Sequence, residues 1–169
     1  MGDLYADNTT WSCVSVCPQK SNLFSFKHPS DITIRTCVTT CPVVNGSLYY
    51  FADNSTQSCV LTCPLKNLTW GDAFTLKCER NCTRNQYRDN GTFMCTYQCA
   101  APRYADNTTW NCVSQCPNGT FAFALGTNRT CLRSCPTGFY ADNKTKFCKS
   151  ICDMGIALWS DNTTWKCVL

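Results

Sequence analysis

The side chains in this sequence that could carry chemistry are 17 thiols, one imidazole and a set of asparagine amides in Asn-x-Ser/Thr sequons. Thiols ligate metals, attack as thiolates or oxidise to disulfides. Structural zinc sites use Cys-x-x-Cys with histidine or further cysteines, whereas here 16 cysteines fall in eight Cys-x-x-x-Cys pairs and His28 is the sole histidine. His28 lies in the Lys20 to Arg35 loop beside Pro29 and reads as a surface residue. A Cys-His or Ser-His-Asp relay has no further imidazole to draw on, and no carboxylate pair or Gly-rich phosphate loop is present. The expectation is no catalytic residue, no metal ligand and no enzyme. A tenth of the chain as cysteine belongs instead to the oxidising side of a membrane, where thiols become disulfides.

The amides point the same way. Eleven sequons occur, at Asn8, Asn45, Asn54, Asn67, Asn81, Asn90, Asn107, Asn118, Asn128, Asn143 and Asn162. Random placement of 14 Asn and 34 Ser plus Thr in 169 residues would give about three. Each is read as an acceptor for a covalent N-linked glycan, the only non-protein group expected; no other cofactor is. Asn81 stands apart because its middle residue is Cys82, whose disulfide competes in time with glycan addition. In six regular copies an aromatic residue lies three positions before the Asn: Tyr5, Phe51, Tyr87, Tyr104, Tyr140 and Trp159. One expectation is that each ring stacks on the apolar face of the first sugar at its own tip. The other is that these rings, with Trp11, Trp110 and Trp165, fill a thin core.

The elements that must present these groups are read from internal repetition. The pairs are Cys13/Cys17, Cys37/Cys41, Cys59/Cys63, Cys78/Cys82, Cys95/Cys99, Cys112/Cys116, Cys131/Cys135 and Cys148/Cys152, with Cys167 following. Tyr5-Ala6-Asp7-Asn8-Thr9-Thr10-Trp11 recurs letter for letter as Tyr104 to Trp110, and looser copies begin at Phe51, Tyr87, Tyr140 and Trp159. In all six the Asn lies five residues before a cysteine. Proline after the second cysteine (Pro18, Pro42, Pro64, Pro117, Pro136), an aromatic, Asp-Asn and a strand-like run into the next cysteine read as a β-hairpin with Asp-Asn at its tip. A unit this small cannot bury enough apolar surface to stand alone, so crosslinks must hold it. The fold class expected is small, disulfide-rich and mainly β: an elongated rod of tandem stacked hairpins without a single large core. The array would run over 1–169, with hairpins at about 1–13, 17–37, 41–59, 63–78, 82–95, 99–112, 116–131, 135–148 and 152–167. Met1-Gly2 aligns with Met154-Gly155, and the chain stops inside what should be another pair, so a window of a longer array is expected, with any secretion signal outside it.

Two disulfide schemes suit this spacing. One joins the second cysteine of each pair to the first of the next, across the hairpin base: Cys17–Cys37, Cys41–Cys59, Cys63–Cys78, Cys82–Cys95, Cys99–Cys112, Cys116–Cys131, Cys135–Cys148 and Cys152–Cys167. It gives every repeat the same bond and leaves Cys13 for a partner outside the chain. The other crosses two repeats, as in Cys95–Cys112 with Cys99–Cys116, and strands Cys167 instead. Runs such as Cys112-Val113-Ser114-Gln115-Cys116-Pro117 and Cys131 to Asp142 resemble the furin-like, growth-factor-receptor cysteine-rich repeats and cysteine-rich surface proteins of protists. The resemblance covers nearly the whole chain and implies small stacked hairpins with one disulfide each. The alternating Cys-x-x-Cys modules of the receptors and their globular ligand-binding domains are missing, so receptor function is not implied.

Fifteen Lys and Arg against 11 Asp and Glu give +4, but only Arg80, Arg84 and Arg88 form even a loose group. Nucleic-acid binding calls for a denser basic stripe. The longest apolar stretch, Phe121 to Leu125, is far below the roughly 20 residues of a membrane span. The functional expectation is an extracellular or cell-surface structural glycoprotein of a coat, fibre or filament, with neighbouring copies as partners. The alternative is a receptor or adhesion ectodomain, or a surface antigen, that binds a protein. It would use a bare face such as Pro18 to Val44, which has no sequon and carries Leu23, Phe24, Phe26, Ile32 and Ile34.

Overall fold

A computed structural model of the chain describes residues 3–152 and 159–168, so the Met1-Gly2 and Met154-Gly155 copies lie outside the described residues. The chain forms two compact units, Met1–Thr83 with Thr92–Cys95 and Arg84–Gly91 with Thr96–Leu169.

The structure is mainly β. In the first unit β1 (Tyr5–Asp7) pairs with β2 (Ser12–Val14) and β3 (Phe24–Lys27) with β4 (Arg35–Val38), each antiparallel. A short β5 (Val43–Val44) and β6 (Leu48–Tyr49) turn at Asn45-Gly46, where both residues take positive φ as a tight hairpin turn requires. Then β7 (Phe51–Asp53) pairs with β8 (Ser58–Val60), and β9 (Trp70–Asp72) with β10 (Lys77–Glu79). After β11 (Tyr87–Asp89) and β12 (Met94–Thr96), the second unit pairs β13 (Tyr104–Asp106) with β14 (Asn111–Val113) and β15 (Phe121–Leu125) with β16 (Asn128–Leu132). It ends with β17 (Tyr140–Asp142) on β18 (Phe147–Lys149) and β19 (Trp159–Asp161) on β20 (Lys166–Val168).

Consecutive hairpins are joined by one rule. The first strand of each pairs in parallel with the second strand of the next: β1–β4, β3–β8, β7–β10 and β9–β12 in the first unit. In the second unit the pairs are β11–β14, β13–β16, β15–β18 and β17–β20. Apart from the separate β5–β6 hairpin, antiparallel pairing within a hairpin therefore alternates with parallel pairing between hairpins in each unit. The parallel contacts are short because each hairpin is offset from its neighbour.

Eight disulfides close the repeats: Cys17–Cys37, Cys41–Cys59, Cys63–Cys78, Cys82–Cys95, Cys99–Cys112, Cys116–Cys131, Cys135–Cys148 and Cys152–Cys167. This is the single-hairpin ladder, and Cys13 is an exposed free thiol. In eight hairpins the strand cysteine sits opposite a small residue: Ala6 faces Cys13, Ser25 Cys37, Ala52 Cys59, Gly71 Cys78, Ala105 Cys112, Ala122 Cys131, Ala141 Cys148 and Ser160 Cys167. Directly opposed side chains share a face of the sheet, so a small partner leaves room for the sulfurs.

There is no single large core. The main cluster holds Phe24, Phe26, Cys41, Val44, Tyr50 and Ala52, with Phe26 edge-on to Tyr50 at 5.1 Å. The others centre on the disulfides themselves, as in Cys17, Leu23 and Cys37, or Cys99, Ala105 and Cys112. Leu23, Phe24 and Phe26 thus fill their larger hairpin, whereas Ile32 and Ile34 remain exposed. At Gly71 a Cβ would lie 2.7 Å from two ring carbons of the buried Phe51. Gly71→Ala should destabilise the first unit by about 1–3 kcal/mol, as overpacking does. An unchanged denaturation midpoint would contradict that packing.

Candidate functional site: the repeated hairpin tip

Each regular tip is organised by an aspartate at the end of the first strand, buried in every copy except Asp161, which is half-buried. The Asp7 carboxylate accepts the Thr9 N–H at 2.9 Å, the Thr9 hydroxyl at 2.7 Å and the Thr10 hydroxyl at 2.8 Å. Asp106 repeats this with Thr108 and Thr109, and Asp53 with Ser55 and Thr56. Asp142 accepts from the Lys144 and Thr145 N–H groups and the Thr145 hydroxyl, and Asp161 from the Thr163 N–H and the Thr164 hydroxyl. The carboxylate caps a turn whose own backbone donors would otherwise lack partners. In these five tips the Thr that completes the sequon also ties down the turn.

These contacts lower the pKa of Asp7, Asp106, Asp142 and Asp161. At Asp142 burial pushes the pKa up, but the Lys149 ammonium at 2.7 Å, the Thr145 hydroxyl and two backbone N–H groups outweigh it and bring it down to about 2. At Asp106 burial is likewise outweighed by the Thr108 and Thr109 hydroxyls, so its pKa also falls. The Thr9 hydroxyl leads in lowering Asp7, and the Thr164 hydroxyl in lowering Asp161. Asp89 accepts the Gly91 N–H of its own tip at 2.9 Å, and Arg103 Nε from the following repeat lies 3.0 Å from its Oδ1.

The residue four after the aspartate is the second fixed point. Trp11, Gln57, Leu76, Phe93, Trp110, Lys146 and Trp165 all take positive φ, between 51° and 62°. The turn closes through N–H donation back to the aspartate carbonyl, 2.8 Å for Trp110, Lys146 and Trp165. The carbonyl of the same residue then accepts from the middle of the preceding hairpin's first strand: Ala52 N–H to Leu76, Gly71 to Phe93, Arg88 to Trp110, Ala122 to Lys146 and Ala141 to Trp165, all at 2.8–2.9 Å. The tip is therefore also the link between repeats.

Sequence reading missed one copy. Trp70-Gly71-Asp72-Ala73-Phe74-Thr75-Leu76 builds the same turn around a fully buried Asp72, with alanine where the acceptor asparagine would stand. Its signal was the aspartate six residues before Cys78, the spacing found at all six regular tips.

Ten of the eleven sequon asparagines are exposed: Asn8, Asn45, Asn54, Asn81, Asn90, Asn107, Asn118, Asn128, Asn143 and Asn162. Asn67 is half-buried and its Nδ2 donates to Ser55 Oγ at 2.9 Å. Asn54, Asn67 and Asn81 line one polar concavity in the first unit, together with Glu79 and Arg80.

The aromatic positions need correction. Phe51 and Tyr104 are buried, Phe51 against Gly71 and Tyr104 edge-on to Phe147 at 6.0 Å with the Arg129 guanidinium 4.6 Å from its centroid. Neither ring is available to a sugar, because the offset between hairpins drives it under the next repeat. Tyr5, Tyr87 and Tyr140 are half-buried and Trp159 is exposed. Tyr87 and Tyr140 reach the asparagine of the following tip: the Tyr87 hydroxyl donates to Asn107 Oδ1 and that of Tyr140 to Asn162 Oδ1. Nor do the tryptophans fill a core, since Trp11, Trp110 and Trp165 are 89%, 42% and 39% exposed.

His28 is half-buried, with Nδ1 accepting the Ser30 N–H at 3.3 Å. Among the described residues no group of three or more His, Cys, Asp or Glu is placed to hold a metal ion, and no helix is long and apolar enough to cross a membrane. Neither a known protein family, nor a curated protein, nor a solved structure matches the chain.

Proposed function

We propose that this chain is part of an extracellular structural glycoprotein, a disulfide-laddered array coated with N-linked glycans that serves a cell coat, fibre or filament beside copies of itself. The observation that carries the reading is the tip: one aspartate-capped turn recurs along the chain and presents an exposed acceptor asparagine at six of its copies. Repetition of a single motif suits a part whose value is length and surface covering. Eight disulfides belong to an oxidising compartment, and they resist unfolding and proteolysis there. Kinship with furin-like repeats belongs to the same proposal. No catalytic role is proposed.

Intact mass before and after enzymatic removal of N-glycans checks the coating. A drop equivalent to several glycans is expected, and no change would refute it. Electron micrographs of native material should show long particles with a repeat along their axis; soluble monomers that capture a protein ligand would sink the structural role. That second reading, an adhesion or receptor ectodomain, is favoured by one observation: Ile32, 77% exposed, lies beside the exposed Ile34 in a hairpin that bears no sequon.

A further inference from the structure

Two joints in the second unit share one arrangement. At the first, the Tyr87 ring stacks on the Trp110 indole with centroids 5.4 Å apart and planes 27° apart. At the second, Tyr140 stacks on Trp165 at 5.6 Å and 28°. In both, the tyrosine hydroxyl donates to Oδ1 of the sequon asparagine three residues before the tryptophan, Asn107 or Asn162. In both, the neighbouring strand N–H, of Arg88 or Ala141, donates to the tryptophan carbonyl at 2.9 Å. The tyrosine comes from one repeat, and the tryptophan and asparagine from the next.

Glycan transfer joins C1 of an N-acetylhexosamine to Asn Nδ2. The bond from C1 to the pyrophosphate of a lipid-linked oligosaccharide donor breaks, and one amide proton leaves. Oδ1 keeps its lone pairs and so keeps the tyrosine hydrogen bond. The tyrosine therefore orients the amide through Oδ1 and leaves Nδ2 to the sugar, and the partly exposed indole on which the tyrosine stacks belongs to the same tip. A pyranose presents an apolar C–H face and an acetyl methyl, both of which suit an aromatic surface.

We propose that Asn107 and Asn162 are seated glycan sites: the first N-acetylhexosamine packs on Trp110 or Trp165, oriented by Tyr87 or Tyr140, and braces the joint between two repeats. The inference rests on the glycoprotein reading. The chain contains its own comparison at Asn143, where Lys146 stands in the tryptophan position and its Nζ lies 5.8 Å from the Phe121 ring, which carries no hydroxyl. A sugar there has neither seat nor clamp.

The test uses the full chain secreted from eukaryotic cells, with occupancy measured by glycopeptide mass spectrometry and every glycan trimmed to its first N-acetylglucosamine. Ring currents should shift the acetyl-methyl resonances at Asn107 and Asn162 upfield of the one at Asn143. Tyr87→Phe and Tyr140→Phe, which delete only the hydroxyl, should reduce the shift at their own sites. Exchange of the Arg88 and Ala141 amides should be several-fold slower in the sugar-bearing protein than in Asn107→Gln and Asn162→Gln. Occupied sites whose acetyl methyls coincide with that at Asn143 would overturn this inference alone. Empty Asn107 and Asn162 in a chain glycosylated elsewhere would also overturn it alone, and a chain with no glycan anywhere would overturn the glycoprotein reading with it.

Discussion

Reduction of the eight disulfides at neutral pH, without denaturant, should unfold the chain. The closed loops span sequence separations of 13 to 20 residues. On the chain-entropy account a crosslink over a loop of this length contributes roughly 3 kcal/mol. Little else can replace it, because the buried clusters are small and several are made of the cystine sulfurs themselves, as in Cys152 with Cys167. Replacing Cys99 and Cys112 together by serine should cost roughly 2–5 kcal/mol. The loss should spread to the flanking hairpins, since β13 is held on one side by β14 and on the other by β16. Far-UV circular dichroism and amide dispersion before and after reduction measure the first effect, and urea denaturation the second. A reduced chain that still unfolds cooperatively would show that burial, and not crosslinking, holds the repeats.

Acid should be the second effective denaturant, through the aspartate turns. The folded pKa of Asp142 is held at about 2 against an ordinary 3.8, so the folded state binds this proton less readily than the unfolded one. The stabilisation is fully present above pH 4 and is lost as pH falls through about 2, and one carboxylate with this shift is worth about 2 kcal/mol. Asp7, Asp106 and Asp161 shift in the same direction and add to the trend. Denaturation midpoints at pH 7, 4 and 2 should be similar for the first two and clearly lower for the third. Asp142→Asn should lower stability at pH 7 by about 2 kcal/mol and flatten the acid dependence, because a neutral amide cannot hold the Lys149 ammonium in the same way. A variant as stable as the parent at pH 7 would mean that this turn is held by its backbone alone.

The sequence by itself determined much of the local plan. Cysteine order, the proline after five of the eight pairs and the Asp-Asn signature place the hairpins and their tips, because a strand pair joined by four residues has few ways to close its backbone hydrogen bonds. The placement of Asn8, Asn107 and Asn162 at exposed tips follows from that local constraint. Two disulfide schemes suited the spacing, the single-hairpin ladder better because it gives every repeat the same bond, and the fold shows that ladder: Cys112 and Cys148 each sit opposite an alanine of their own hairpin and are bonded to the cysteine at its base.

What passes between repeats was decided by tertiary structure alone. The offset that pairs β11 with β14 or β17 with β20 depends on a left-handed residue at each tip, and neither Trp110, Leu76 nor Lys146 announces positive φ by its type. That conformation turns a carbonyl toward the preceding hairpin, and the hydrogen bond it accepts sets how far one repeat slides over the next. The slide buries Phe51 and Tyr104, and it carries Tyr87 and Tyr140 to asparagines about 20 residues further on. Residue spacing records distance along one strand; which ring meets which amide is set by register between strands, and a register held by so few bonds leaves little trace in the sequence.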